Sequence, residues 1–193
     1  MGTEVASALN AIGKPYEVIL IDTPATGHML ALTALPDLLL KLLPWGPIPE
    51  ALREGQSYIN DQAKGAAYVV TLPEQLPVTE TLEIIAGLTE TRIHVGGVIV
   101  NRMPQMTFSA AERAALEPML ERQKLFGAEG YYRAQWADRA VGRLCRESAA
   151  AIFTMAEEAA QGPELVAALA AKLPQRSQRE HFAERADAAG TGS

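Results

Sequence analysis

An aspartate that closes an apolar run, followed by a short loop of hydroxyl-bearing and small residues, is the first grouping in this chain with chemical potential. The stretch VILIDTPATGH, residues 18–28, puts Asp22 after four consecutive apolar residues and Gly27 near the end of the loop. An acid at the end of a buried strand can hold a magnesium ion through water, as acids of the Walker-B type do. Gly27 can let a backbone amide approach a terminal phosphate with no side chain in the way. A second segment, NRMP at 101–104, also follows an apolar run. In an open parallel sheet, ligands bind beyond the carboxyl ends of the strands, so DTPATGH and NRMP would converge on one region. That convergence carries more than either segment alone. Asn101 can equally be a turn residue that tolerates left-handed geometry after a strand. His28 has no cysteine, serine or metal-ligand partner at a readable spacing, so it is read as structural or solvent-facing.

The elements that must position these residues follow from periodicity. Residues 3–12 suit a short helix that Gly13 can end, and YEVILI at 16–21 gives a strand whose continuous apolar run implies burial on both faces. AAYVVTL at 66–72 and HVGGVIVN at 94–101 give two more strands, with a helix at about 77–91 between them. Strands alternating with helices predict the α/β class, a mostly parallel sheet with helices on both faces. The interval 23–65 is longer than one crossover needs and is read as holding a helical insertion over about 29–65, a helical piece broken by Pro44, Gly46, Pro47 and Pro49 and then a second helix to about Gly65. SAAE at 109–112 has the form of a capping box, with Ser109 accepting from the Glu112 amide and Glu112 reaching back. It opens a long helical stretch to about 150, interrupted near FGAEG. A short strand at AIFTM and a last helix at about 163–173 follow. The expected organisation is one domain over 1–173 and a polar, loosely ordered tail over 174–193.

Composition narrows the function classes. The chain has 193 residues, 48% hydrophobic and 21% charged, with a formal net charge of −6 and no dense basic run. That balance argues against nucleic acid or an anionic membrane surface as a general partner. The aromatic and arginine mixture YYRAQWADR at 131–139 is accordingly read as a helix face with exposed charges. The single cysteine, Cys145, cannot form an internal disulfide or a multi-cysteine metal site, and it fits a reducing cytoplasm. The longest apolar run, MLALTALPDLLLKLL, is too short to span a bilayer and carries Pro36, Asp37 and Lys41.

With these residues in hand, the chain resembles the ArsA/Get family of anion-pump and tail-anchored-protein-targeting ATPases, relatives of MinD with a deviant-Walker P-loop NTPase fold. YEVILIDTPATGHMLALTALP is similar to the family's switch II segment, and VVTLPEQLPVTETLEIIAGL to its next strand and helix. VGGVIVNRM resembles the strand ending in the adenine-contacting asparagine, and TMAEEAAQGPELVAALAAKL the closing helix. The resemblance implies a dimeric ATPase that binds ATP with Mg2+ between subunits. Asp22 would match the aspartate that positions magnesium and the attacking water, and Gly27 the glycine that senses the γ-phosphate. Asn101 would match the adenine-reading asparagine, with Arg102 beside it. Catalysis would rest on positioning and electrostatic stabilisation of the transferred phosphoryl group.

The resemblance covers only the family's switch II-to-C-terminus portion. No G-x-x-x-x-G-K-[ST] phosphate loop occurs in the sequence, so ATP hydrolysis by this chain alone is not expected, and Met1 falls inside what would be the helix leading to switch II. By the same resemblance the phosphate-loop strand would lie between the strand at 16–21 and the one at 66–72. Those two strands therefore either pair directly or each present an unpaired edge. The expected partners are ATP or ADP and a homodimer mate or an intact family member. A hydrophobic or membrane-protein client is a further possibility raised by the Leu-rich helix around Leu38–Leu43, for which plain core packing is the favoured reading. The family's zinc-binding and metalloid-binding cysteines are absent, which disfavours arsenite transport. The competing reading is a non-catalytic interaction or targeting module.

Overall fold

Of the four apolar runs with strand character, three pair into a sheet. The structure is a computed structural model that describes residues 18–23, 27–43, 45–105, 107–122, 126–173, 177 and 182. Its elements in chain order are α1 (Gly27–Leu42), α2 (Pro47–Ile59), β1 (Ala67–Thr71), α3 (Gln75–Glu90), β2 (Val95–Met103), α4 (Ala110–Arg122), α5 (Ala128–Glu147), β3 (Ile152–Ala156) and α6 (Gly162–Lys172). The sheet order is β1-β2-β3, and β2 runs parallel to β3 with Val98 opposite Ile152 and Val100 opposite Thr154. This is the α/β architecture that the alternating pattern predicts. The helix expected at 3–12 lies outside the described residues.

The fourth run departs from expectation. Residues 18–23 carry no regular secondary structure, and Val18 and Leu20 are 72% and 92% exposed. A strand exists only through a neighbour that takes its amides and carbonyls, and a two-sided apolar strand needs a neighbour on each edge. Local composition gave Val18–Ile21 the side chains of a central strand but could not supply the adjoining strands. Both outcomes foreseen for this segment took it to be a strand, which the described residues 18–23 do not form.

The chain forms two compact units, residues 1–67 with 86–95, and 68–85 with 96–193. In the first, α1 and α2 lie against one another, and the Gln56 amide donates to Asp37 Oδ1 at 2.7 Å. The segment after α2 closes on Asp61, whose carbonyl accepts from the amides of Lys64 and Gly65 and whose side chain accepts from Ala63. Gly65 fits there because a Cβ would stand 2.9 Å from the Ile59 carbonyl oxygen. The interval holds two helices, and the second stops at Ile59 rather than at about Gly65, because the chain turns at Asp61. Leu38, Leu42, Leu43, Trp45 and Ile48 are exposed, so core packing does not account for that face among the described residues.

The second unit carries the sheet, apart from the first residues of β1 and β2. Its core is made by Val69, Val98, Val100 and Ile152 from the strands, Val78 and Thr81 from α3, and a stripe on α5. That stripe, Tyr131, Ala134, Ala137, Val141, Leu144 and Cys145, recurs every three or four residues, the spacing that keeps side chains on one helical face. Arg143 donates to Thr79 Oγ1 at 2.7 Å and ties α5 to the first turns of α3. β1 alternates, with Val69 and Thr71 buried and Tyr68 and Val70 exposed. Gly96 and Gly97 admit two rings: a Cβ would stand 2.8 Å from Tyr68 Cζ at the first and 2.6 Å from Phe153 Cε2 at the second. Of the polar tail, Ser177 Oγ accepts the Ile152 amide at 2.9 Å and Phe182 is buried.

Candidate functional site

β2 does not end at Asn101, as its sequence suggests, but continues to Met103 through an irregularity. Between Val100 and Met103 the register with β3 advances three residues against two, from Thr154 to Ala156. The extra residue makes a bulge, a device that turns a side chain out of the regular alternation. Arg102 takes φ 56°, in the left-handed region, and Asn101 Oδ1 accepts the Arg102 amide at 2.9 Å. The left-handed geometry therefore falls on the residue after the asparagine, and Asn101 stabilises it. Asn101 and Arg102 are brought together in this way, and Asn101 keeps its side-chain NH2 group for another partner.

The bulge aims Arg102 at Glu157, the first residue beyond β3. Arg102 Nη2 and Nε lie 2.9 and 3.3 Å from Glu157 Oε1, and Arg133 Nη1 of α5 lies 2.8 Å from Oε2. The Glu157 amide donates to the Met103 carbonyl at 3.1 Å, so the backbone fixes the carboxylate against the end of β2. The Arg133 guanidinium first, and that of Arg102 second, hold the Glu157 carboxyl below its usual range. Its neighbour Glu158 is bound to Lys172 of α6.

Of these groups, Arg133, Glu157 and Glu158 line a cleft of about 700 Å³ at the carboxyl ends of β2 and β3. One wall is Pro104–Gln105 with Thr107 and Phe108, a second is α5 from Gly130 to Ala134, and the third is Glu157–Ala159. Phe108 and Tyr131 stand 6.1 Å apart between ring centroids, and Tyr131 donates to Glu117 Oε1 at 3.0 Å. Burial, then that hydrogen bond, pushes the Tyr131 hydroxyl up, so it stays a neutral donor. The Phe108 wall is anchored by the foreseen capping box: the Ser109 amide donates to Glu112 Oε2 at 2.7 Å and the Glu112 amide to Ser109 Oγ at 3.3 Å. Among the described residues the lining holds aromatic faces, one arginine and carboxylates, and no His, Cys, Ser or Lys. Aromatic rings beside an arginine and carboxylates suit such a lining to binding a flat, polar ligand.

The other two expected site residues belong to the first unit. Asp22 lies in the exposed, irregular stretch 18–23 and not at a strand end, and Gly27 opens α1. The loop between them, 24–26, lies outside the described residues. Among the described residues no three His, Cys, Asp or Glu side chains converge as a metal site would require, so Asp22 offers a magnesium ion a single carboxylate. Glu157 and Arg133 escaped the reading of the sequence as site residues. A signal existed, since an acid directly after a strand of a parallel sheet lies on its ligand-binding edge, but Glu157 registered only within the resemblance of the closing segment.

No described helix is long and apolar enough to cross a membrane. No family model matches the chain. It is similar to "Putative ATPase Mb3704" of Mycobacterium bovis and to "ATPase BagA" of Mycobacterium tuberculosis, each 37% identical over 87 residues. Each match takes in 45% of this chain, which spans 25% of the length of the relative.

Proposed function

We propose that this chain is part of an ArsA/Get-like ATPase and contributes to a site for ATP and Mg2+. The observation that carries the reading is the cleft at the carboxyl ends of β2 and β3, beside Asn101 and Arg102 at the strand end where a nucleotide base is expected. The likeness to proteins named as ATPases supports it. In this reading Asn101 and Arg102 serve the base side. Gly27, as the first residue of α1, offers an amide free of intrahelical partners to a terminal phosphate. Asp22 holds magnesium through water. The triphosphate cradle comes from chain that this sequence does not contain, so hydrolysis, coupled to rearrangement of a dimer, belongs to the complete assembly. Titration of the chain with a non-hydrolysable ATP analogue and Mg2+, alongside Asn101→Ala, tests this. Binding that the variant weakens supports the reading, and no binding to a sample folded by circular dichroism refutes it for this polypeptide.

A second reading is favoured by the exposed apolar face of the first unit, Leu38, Leu42, Leu43, Trp45 and Ile48. Under it the chain is an interaction or targeting module, pairing with an intact ATPase or carrying a hydrophobic client. Tryptophan emission separates the two: a hydrophobic peptide that blue-shifts Trp45, with no nucleotide response, selects the module.

A further inference from the structure

Two surfaces of this chain lack the neighbour that their composition calls for. The run Val18–Ile21 leaves every side chain at least half exposed, from 50% at Ile19 to 92% at Leu20, and contains no charge and no proline. Such a run suits the inside of a parallel sheet, where both faces are covered and both edges are paired. β1 is an outer strand of the β1-β2-β3 sheet, and among the described residues no strand pairs with its free edge. Its sequence, AYVVT, has none of the charge or proline that blunts an edge in monomeric proteins, and Tyr68 and Val70 are exposed. One surface is a strand without a sheet, and the other a sheet edge without a strand.

We infer that these surfaces meet between two copies of this chain, Val18–Ile21 of each adding as a parallel strand to the free edge of β1 in the other. A second copy is the occupant because every copy carries both halves. Reciprocal exchange fills both β1 edges at once and closes as a two-fold dimer. The parallel sense follows from β2 and β3, which run parallel, and from a run that is apolar on both faces. It sets Asp22, the residue after the run, at the carboxyl end of the sheet that the run joins. The backbone amides and carbonyls of both segments gain the partners that each lacks, the mode by which extended segments add to open sheet edges. Val18, Ile19, Leu20 and Ile21 from each copy, with the surface they press on, remove on the order of 1,000 Å² from water. That is the scale at which a specific interface begins. No bound nucleotide is needed for this pairing.

Sedimentation equilibrium of the full chain without nucleotide reads the assembly, and amide hydrogen exchange reads where the copies meet. A dimer should form at micromolar concentration, with the amides of 18–22 and 67–71 gaining protection as dimer replaces monomer. Leu20→Pro removes an amide from the run in a stretch with no regular structure, so circular dichroism should be unchanged. It should weaken the dimer on the order of tenfold or more, because each dimer holds two such pairings. Val70→Lys puts a charge on the edge strand at an exposed position and should weaken it similarly. A nitroxide attached at Val18→Cys should broaden Ala67 of an isotope-labelled copy more than Thr71, and Cys145 is buried and escapes the label. Stronger broadening at Thr71 would overturn the parallel arrangement. A folded chain that stays monomeric, a dimer that withstands both Leu20→Pro and Val70→Lys, or full protection of 18–22 already in the monomer would overturn the exchange itself.

Discussion

Replacing Arg102 by glycine should leave the chain more stable than replacing it by alanine, the reverse of the usual order. Both variants lose the guanidinium contacts to Glu157 alike, so those contacts cancel in the comparison. What differs is the response to φ 56°. A residue with a Cβ is disfavoured in the left-handed region by roughly 1–2 kcal/mol, and glycine is not. Against this, glycine loses about 0.4–1 kcal/mol more conformational entropy on folding. The balance favours Arg102→Gly by about 0.5–1 kcal/mol. With a urea dependence of about 2 kcal/mol per molar, its unfolding midpoint should lie roughly 0.25–0.5 M above that of Arg102→Ala. Arg133 provides the control, because it lies inside α5. There the glycine variant should be the weaker by about 1 kcal/mol. An Arg102→Ala midpoint equal to or above that of Arg102→Gly would refute the bulge and the aim it gives to Arg102.

Glu157, whose carboxyl is held low by Arg133 and Arg102, adds stability above its ordinary value of 4.5, and this is lost as pH falls through the lowered folded value. Urea midpoints should therefore show native and Glu157→Gln proteins separated near neutral pH and converging in acid. Gly97→Ala should destabilise by about 1–3 kcal/mol, because its Cβ meets both the Phe153 ring and, at 3.1 Å, the Ala151 carbonyl oxygen. Gly96→Ala meets only the exposed Tyr68 ring and should cost less, and thermal unfolding of the two variants measures the difference. Leu144 is fully buried, so Leu144→Ala should cost about 2–5 kcal/mol by equilibrium unfolding, and a loss below about 1 kcal/mol would contradict its place in the core.

What was legible in the sequence was whatever local pattern decides. β1, β2 and β3 announce themselves as short apolar runs bounded by turn residues, and Ser109 with Glu112 specifies its own helix start. The run YEVILI has the same composition as these strands, yet 18–23 forms no ladder, because pairing is a property of two segments and not of one. The bulge was hidden for a related reason. Nothing in VGGVIVNRM marks where the register with β3 will slip, since the slip depends on where Met103 and Glu157 meet. Arg133 looked like an ordinary solvated charge on an amphipathic helix, and only the fold brings it from α5 to a carboxylate 24 residues away. The likeness of the NRMP stretch to a base-contacting strand end singled out Asn101, which braces the bulge, and not Glu157, the carboxylate that Arg102 meets.

The uncovered run Val18–Ile21 also bears on how long the chain survives in a cell. Four successive apolar residues with no internal charge, together with a sheet edge at β1 that has neither charge nor proline, are features that chaperones retain and proteases reach first. A copy in which these surfaces are covered escapes that triage, and a copy in which they are bare is subject to it.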